Sequence, residues 1–143
     1  MTPIRLVIPR TAFDAMLAHA RSVLPNECCG FLAGIGESDV ARVSEVHPLV
    51  NSLASRTEFE TEPRSLFAAY RAMRTTRTDV LAIYHSHPTS EPVPSQKDLT
   101  RNTYGPNVAW VIIGFADSEP DVRVWWLTES GFTVTAWNIA EDA

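Results

Sequence analysis

Residues 80–98 read VLAIYHSHPTSEPVPSQKD. The first five residues form a continuous apolar run, which is typical of a central strand that is covered on both faces. Side chains alternate between the faces of a strand, so His85 and His87 are expected to project from the same face. The prolines that follow predict a turn, and a short helix is expected from about Ser95. The segment therefore predicts a strand, a turn and a helix, with two histidines on one face of the strand.

Apolar patterns on either side of this segment predict further strands. One more continuous apolar run, at Trp110–Ile113, is again typical of a covered strand. Alternating or short apolar runs predict strands at Ile4–Ile8 and Cys29–Ala33, and Val40–Val50 is the expected hairpin partner of the second, after a turn at Gly34 and Gly36. Thr57–Thr61 is a further candidate strand. The last two strands, Val122–Leu127 and Phe132–Trp137, are expected to form an antiparallel hairpin around Gly131.

Two amphipathic helices are predicted between these strands. The first should begin at Thr11, which has Asp14 three residues later, and end near Pro25; its apolar positions are Phe13, Met16, Leu17, Ala20 and Leu24. The second should begin at Pro63, with Leu66, Phe67, Tyr70 and Met73 on its apolar face and Arg71, Arg74 and Arg77 toward its C-terminal end. The expected fold class is α/β: one domain over residues 1–143, with a mixed sheet and flanking helices.

Composition excludes several classes of protein. The chain has 143 residues, 45% of them hydrophobic, and a formal net charge of −5, which argues against disorder and against a basic nucleic-acid-binding face. No apolar run reaches the roughly 20 residues of a membrane span, and the start does not resemble a signal peptide, so we expect a cytoplasmic protein with no membrane partner. Cys28 and Cys29 are adjacent, which disfavours a disulfide between them.

The two histidines and Asp98 predict a zinc site. Two imidazoles on one strand face supply two ligands, and Asp98, in the first turn of the next helix, can supply a carboxylate oxygen as the third. Three protein ligands leave a fourth position for water, which is the arrangement of catalytic zinc sites. Ser95 and Asp98 also match the capping pattern of a helix N-terminus, and this interpretation stays open beside the first.

The spacing His85-x-His87-Pro88, then Ser95-x-x-Asp98, resembles the metal motif of the JAMM/MPN family of zinc metallopeptidases. The family motif also has an upstream glutamate, which Glu27 matches in kind and place. The resemblance covers about Ile4 to Ile139 and is greatest to small bacterial single-domain members that act on ubiquitin-like sulfur-carrier proteins. The short segment Leu99–Asn107 leaves no room for the additional substrate-binding segment of specialised eukaryotic deubiquitinases.

This resemblance implies a mechanism and a substrate class. Zn²⁺ held by His85, His87 and Asp98 would activate a water molecule, with Glu27 as the general base that passes the proton to the leaving amine. The Ser95 hydroxyl would stabilise the developing oxyanion, unless it serves only as the helix cap. The implied partner is a ubiquitin-like or sulfur-carrier protein with a Gly-Gly tail, cleaved after its last glycine.

Other interpretations use the same residues. A thiol protease based on Cys28 or Cys29 would leave the spacing of the two histidines and the aspartate unexplained. A zinc deaminase requires His-x-Glu and Pro-Cys-x-x-Cys, which the sequence lacks. A non-catalytic MPN-type scaffold is the main alternative, and it should purify without stoichiometric zinc. We interpret the remaining histidines, His19 and His47, as surface residues, and the four tryptophans as core or sheet-face residues: Trp110, Trp125, Trp126 and Trp137.

Overall fold

The computed structural model describes residues 5–37, 39–128 and 131–141. In chain order the elements are β1 (Arg5–Pro9), α1 (Arg10–Ser22), β2 (Cys29–Gly36), β3 (Val40–Leu49), α2 (Pro63–Thr76), β4 (Asp79–His87), α3 (Gln96–Thr100), β5 (Ala109–Gly114), β6 (Asp121–Thr128), β7 (Gly131–Val134) and β8 (Ala136–Ala140). Apart from the strand expected at Thr57–Thr61 and the division of the last predicted strand into β7 and β8, the order of strands and helices agrees with the sequence prediction, and the expected α/β class is confirmed. The predicted first residue of the first strand, Ile4, lies outside the described residues.

The strands form one mixed sheet in the order β7-β6-β5-β4-β2-β3-β1-β8. The pairs β1 with β3, β1 with β8, and β4 with β5 are parallel, whereas the other neighbours are antiparallel. Only Thr135 separates β7 from β8, yet these strands lie at opposite ends of the order. The sheet must therefore curl until its two edges come close together.

The two long helices cover opposite faces of this sheet. On one face, Phe13, Met16 and Ala20 of α1 pack in a core that includes Tyr84 of β4. On the other face, Ala69 and Met73 of α2 pack in a second core that includes Ile83. Because Ile83 and Tyr84 are consecutive in a strand, their side chains point to opposite faces. His85 and His87 therefore lie on the face that α2 covers.

Several predicted boundaries were wrong. The first helix begins at Arg10, and Pro9 occupies its N-cap position without a side-chain cap, so Thr11 does not start it. That helix ends at Ser22, which leaves Leu24 outside it and 40% exposed. Strand β2 continues through the glycines that were expected to form a turn.

Three further differences concern pairing and exposure. Residues 57–61 form no strand; only an isolated bridge joins Asn51 to Thr61. The final hairpin consists of β6 and β7, but Trp137 belongs to β8, which pairs with β1. On α2, Phe67 is 68% exposed instead of buried. Within the described ranges, no helix is long and apolar enough to cross a membrane.

Candidate metal centre and active site

Three side chains from two elements converge at the end of β4. His85 Nε2 lies 3.2 Å from His87 Nε2 and 3.2 Å from Asp98 Oδ1. His87 Nε2 lies 3.4 Å from Asp98 Oδ2. All three residues are buried, and β4 extends through both histidines. Within the part of the chain that the structure describes, this is the one group of His, Cys, Asp or Glu side chains arranged to hold a metal ion.

These separations fit a tetrahedral zinc site. Ligand atoms about 2.0–2.1 Å from Zn²⁺ lie about 3.3 Å from one another at tetrahedral angles. The observed separations of 3.2–3.4 Å match that spacing. Two imidazole nitrogens and a carboxylate oxygen are also a donor set that zinc accepts readily. The geometry thus supports the predicted ligand set, whose assignment stays a prediction.

The surroundings of the histidines favour metal binding through Nε2. His87 Nδ1 lies 2.8 Å from the carbonyl oxygen of Glu91, which can only accept a hydrogen bond. His87 Nδ1 therefore carries a proton, which leaves Nε2 as the atom that can bind a metal, as in many metal-binding histidines. The ring of His85 packs against Phe59 and Trp110, with ring centroids 4.9 and 5.5 Å away. This apolar contact fixes the orientation of the His85 ring.

Asp98 is held by the start of its own helix. Ser95 Oγ accepts a hydrogen bond from Asp98 N at 3.1 Å, while Ser95 N donates to Asp98 Oδ2 at 2.8 Å. This reciprocal pair is a capping box. The capping interpretation is therefore confirmed, and the same Asp98 carboxylate also faces both histidines. Capping and the metal-site geometry thus coexist in this structure.

The charges within the cluster are coupled. Burial alone would raise the pKa of Asp98, but the neighbouring His85 and His87 more than offset this and hold the pKa well below its usual value. Burial lowers the pKa of His85. Burial also opposes protonation of His87, but Asp98 and the Glu91 carbonyl outweigh it and raise that pKa. The carboxylate is therefore ionised and suited to binding a cation.

Glu27 reaches the cluster through strand pairing. Cys29 of β2 pairs with His85 of β4 in antiparallel register. Continuing that register by two residues places Glu27 beside His87, and a period of two puts their side chains on the same face. Both residues line a cleft of about 380 Å³, together with Ser95. The cleft is completed by Arg56, Thr57, Pro88, Thr89, Ser90, Gln96 and Lys97.

The Glu27 carboxyl is buried and only 5% of the residue is exposed. Burial raises its pKa to about 8, although nearby His87 acts in the opposite direction. Glu27 Oε1 forms no hydrogen bond within the described residues. A buried carboxyl group with a raised pKa beside a cluster of potential ligands is a candidate for proton transfer.

The two cysteines, unlike Glu27, are not suited to take part in catalysis near neutral pH. Cys28 and Cys29 are 2% and 0% exposed, and burial raises the pKa of each thiol to about 12. Thiolates are the nucleophilic form of cysteine, so both thiols are inert near neutral pH. This disfavours the thiol-protease interpretation.

Sequence reasoning missed several residues around the site. His19 is half-buried: its Nδ1 lies 2.7 Å from Tyr84 Oη, so its interpretation as a surface residue was wrong. Phe59, which packs on His85, was assigned to a strand that does not form. Asn51 and Ser86, which bind the backbone next to Glu27, were not identified. No local sequence pattern identifies these residues, because each contacts a residue that is distant in sequence.

The chain is similar to known proteins over most of its length. The family model described as prokaryotic homologs of the JAB domain matches residues 9–128. Desampylase from Haloferax volcanii is 38% identical over 109 residues, which are 73% of this chain and 77% of that protein. CysO-cysteine peptidase from Mycobacterium tuberculosis is 31% identical over 138 residues, 96% of this chain and 92% of that protein. A solution structure of a Desulfitobacterium hafniense protein has a TM-score of 0.87 and 30% identity, covering 96% and 94% of the two chains.

Proposed function

Because the chain belongs to the prokaryotic JAB-domain family, we propose that it is a zinc-dependent peptidase or isopeptidase acting on a ubiquitin-like or sulfur-carrier protein. The bond hydrolysed is the amide that follows the C-terminal Gly-Gly of the carrier. The observation that carries this proposal is the convergence of His85, His87 and Asp98 beside Glu27. The names of two similar proteins, desampylase and CysO-cysteine peptidase, support the class of reaction and substrate.

In this proposal His85, His87 and Asp98 hold Zn²⁺. When bound, zinc supplies Lewis acidity, which lowers the pKa of water and polarises the scissile carbonyl group. The buried Asp98 carboxylate would contribute a negative charge, and each histidine would contribute the lone pair of its Nε2 atom once the ion is bound. The Glu91 carbonyl keeps the proton of His87 on Nδ1, so that Nε2 stays available.

Glu27 is the proton carrier in this mechanism. Its carboxylate takes a proton from the attacking water and returns it to the nitrogen of the leaving amine. Burial raises the pKa of Glu27 to about 8 in the metal-free protein. A cation bound nearby would lower that pKa, because an opposite charge favours the ionised carboxylate. Glu27 would then be ionised at neutral pH and able to accept the proton.

Ser95 stabilises the negative charge on the carbonyl oxygen. Its oxygen accepts the hydrogen bond from Asp98 N, and this uses a lone pair and leaves the hydroxyl proton free to donate. Ser95 also lines the cleft that Glu27 and His87 share. The helix cap therefore supports the oxyanion role by holding the Ser95 oxygen in place.

The shape of the site favours a thin substrate segment. His85 is fully buried and His87 is 6% exposed, so the reacting carbonyl must enter a recess. Two glycines carry no side chains and can follow such a path, with their backbone paired to an exposed strand. The leaving amine is a lysine side chain, a main-chain amine, or a single amino acid.

Two measurements test this proposal. Elemental analysis of protein purified without added metal should find about one zinc per chain, whereas a non-catalytic scaffold should carry none. Sulfur-carrier fusions with residues after Gly-Gly should be cleaved after the last glycine, as seen by mass spectrometry. A matched fusion ending in Ala-Ala is the control and should be cleaved far more slowly. Equal cleavage of both fusions would indicate a general peptidase, and the absence of zinc would overturn the proposed chemistry.

A further inference from the structure

The peptide group between Glu27 and Cys28 is held at both ends. Its carbonyl oxygen accepts a hydrogen bond from Asn51 Nδ2 at 3.1 Å. Its N–H donates to Ser86 Oγ at 2.9 Å, in a fully buried contact. The preceding amide, Glu27 N, donates to the carbonyl oxygen of Ser55 at 2.8 Å. The backbone on both sides of the Glu27 Cα atom is therefore fixed.

The carboxyl group of Glu27 is not fixed in the same way. Its Oε1 atom is buried and forms no hydrogen bond within the described chain. No hydrogen bond to Oε1 therefore holds the carboxyl group, and its position depends on packing and on the backbone that carries it. A rotation of that peptide group would therefore shift the carboxyl group relative to His87.

The two residues that hold this peptide group belong to different parts of the site. Ser86 lies between His85 and His87 in β4, and its side chain points to the opposite face of the strand. It therefore ties the Glu27 segment to the strand that carries both histidines.

Asn51 ties the same segment to the wall of the cleft. Its Oδ1 accepts hydrogen bonds from Leu53 N and Glu60 N, each at 3.1 Å, and its Nδ2 also donates to Glu58 O at 3.0 Å. The Glu58 carboxylate then contacts Lys97 Nζ at 2.8 Å and Arg101 at 3.4 Å. Both cations belong to α3 or its C-terminal cap. Asn51 thus connects the Glu27 backbone to the helix that carries Asp98.

We propose that Asn51 and Ser86 are positioning residues for the hydrolytic reaction, acting through the orientation of Glu27. This inference rests on the proposed function, in which Glu27 moves the proton. Neither residue supplies a ligand or reaches the reacting atoms. Their hydrogen bonds set the distance between the Glu27 carboxyl group and the cluster, and a displacement of about 1 Å at such a group lowers a rate by roughly 100-fold.

Two variants and one control test this proposal on the zinc-loaded full chain. Asn51→Asp keeps the acceptor oxygen for Leu53 N and Glu60 N but removes the donor to Glu27 O and to Glu58 O. Ser86→Ala removes the acceptor for Cys28 N. Ser52→Ala is the matched control, because Ser52 Oγ donates to Glu60 O in the same loop without contacting Glu27. We measure kcat and KM on a Gly-Gly carrier fusion, and zinc content for each protein.

Asn51→Asp and Ser86→Ala should lower kcat by about 10- to 100-fold, change KM by less than about twofold, and retain zinc. Ser52→Ala should match the parent chain. In a Glu27→Gln background, Asn51→Asp should lower the remaining rate by less than about twofold, because its effect passes through Glu27. Amide hydrogen exchange of Cys28, followed by NMR, should be accelerated at least about 10-fold in Ser86→Ala, which reports the lost hydrogen bond without any turnover.

The outcomes separate this inference from the proposed function. A parent chain that cleaves no carrier fusion refutes the proposed function itself. A parent chain that cleaves, with both variants turning over at its rate, overturns only the positioning role. An equal loss of rate in the Glu27→Gln background would also overturn it, as would loss of zinc from both variants. If one variant does not fold, the other gives the result.

Discussion

Ser95 and Asp98 bind each other's backbone amide, and the same Asp98 carboxylate lies within 3.4 Å of both histidine Nε2 atoms. The cap therefore has two consequences. It satisfies two amides at the start of a short helix, and it restricts the rotation of the carboxylate that faces the cluster. A five-residue helix has little stability of its own, so this pair matters more here than in a long helix.

Replacing Ser95 separates its two proposed roles. Ser95→Ala should lower the free energy of unfolding by about 1 kcal/mol through loss of the cap. It should also lower kcat by about 100-fold through loss of a donor to the oxyanion. Zinc should be retained, because the backbone N–H of residue 95 still donates a hydrogen bond to Asp98 Oδ2. Thr100→Ala removes a hydroxyl that donates to Gln96 O in the same helix and is the control for thermal unfolding and kinetics. A Ser95→Ala protein with unchanged kcat would show that the hydroxyl only caps the helix.

Replacing one histidine tests the ligand set. His87→Ala should abolish both zinc binding and hydrolysis, while the circular dichroism spectrum stays like that of the parent chain. The two apolar cores do not depend on the ion, so the metal-free protein should also remain folded. Added zinc should raise the Tm of the parent chain but not of the variant. His47→Ala is the matched control, since His47 contacts Glu45 instead of the cluster. Stoichiometric zinc in His87→Ala would mean that other residues hold the ion.

Thiol chemistry gives a simple test against a cysteine nucleophile. With thiol pKa values of about 12, only about one molecule in 100,000 carries a thiolate at pH 7. Iodoacetamide should therefore leave the hydrolysis rate unchanged, whereas a zinc chelator should abolish it. Rapid inactivation by iodoacetamide, accompanied by alkylation at Cys28 or Cys29, would contradict this expectation.

The strand, turn and helix around the site could be predicted because their signals are local. The apolar run before His85 and the prolines after His87 describe a covered strand and a turn without reference to other parts of the chain. The pairing of Trp137 with β1 could not be predicted, because it depends on how far the whole sheet curls. The exposure of Phe67 is likewise set by tertiary packing, although the helix itself was predicted correctly.

The same distinction between local signals and tertiary packing applies to the residues of the candidate site. The arrangement of His85, His87 and Asp98 follows from a strand period of two and one short turn, so the sequence could predict it. The position of Glu27 beside His87 depends on the register between β2 and β4, which only the resemblance to a family could supply. Asn51 makes its hydrogen bonds across a loop with no regular pattern, and nothing in the sequence pointed to it.

A glycine next to the site provides a test of packing. A Cβ atom at Gly30 would lie 2.2 Å from the ring of Tyr84, whose hydroxyl group contacts His19. Gly30→Ala should therefore displace this buried ring and lower the free energy of unfolding by about 1–3 kcal/mol. Gly36→Ala is the matched control in the same strand, because its nearest contact is 3.8 Å away. Urea unfolding that gives equal stability for both variants would show that Tyr84 moves without penalty.

Glu27 should make the metal-free protein less stable as the pH rises. The ordinary pKa of 4.5 applies to the unfolded chain, and the folded protein raises it to about 8. Between these values the folded state holds a proton that the unfolded state has released. The free energy of unfolding should then fall by up to about 1.4 kcal/mol per pH unit over this range. Below pH 4.5 both states are protonated and the contribution of Glu27 is constant.

Glu27→Gln removes this titration and tests the role of the carboxyl group in stability and in catalysis. At pH 7 the metal-free variant should be more stable than the parent chain by up to about 3 kcal/mol, and the difference should vanish near pH 4. With zinc, the variant should keep the metal but hydrolyse the carrier fusion about 100- to 10,000-fold more slowly, because glutamine cannot accept a proton. Urea unfolding at several pH values, zinc analysis and kinetics give the three results. Turnover at the parent rate would mean that another group activates the water, and loss of zinc would identify Glu27 as a ligand.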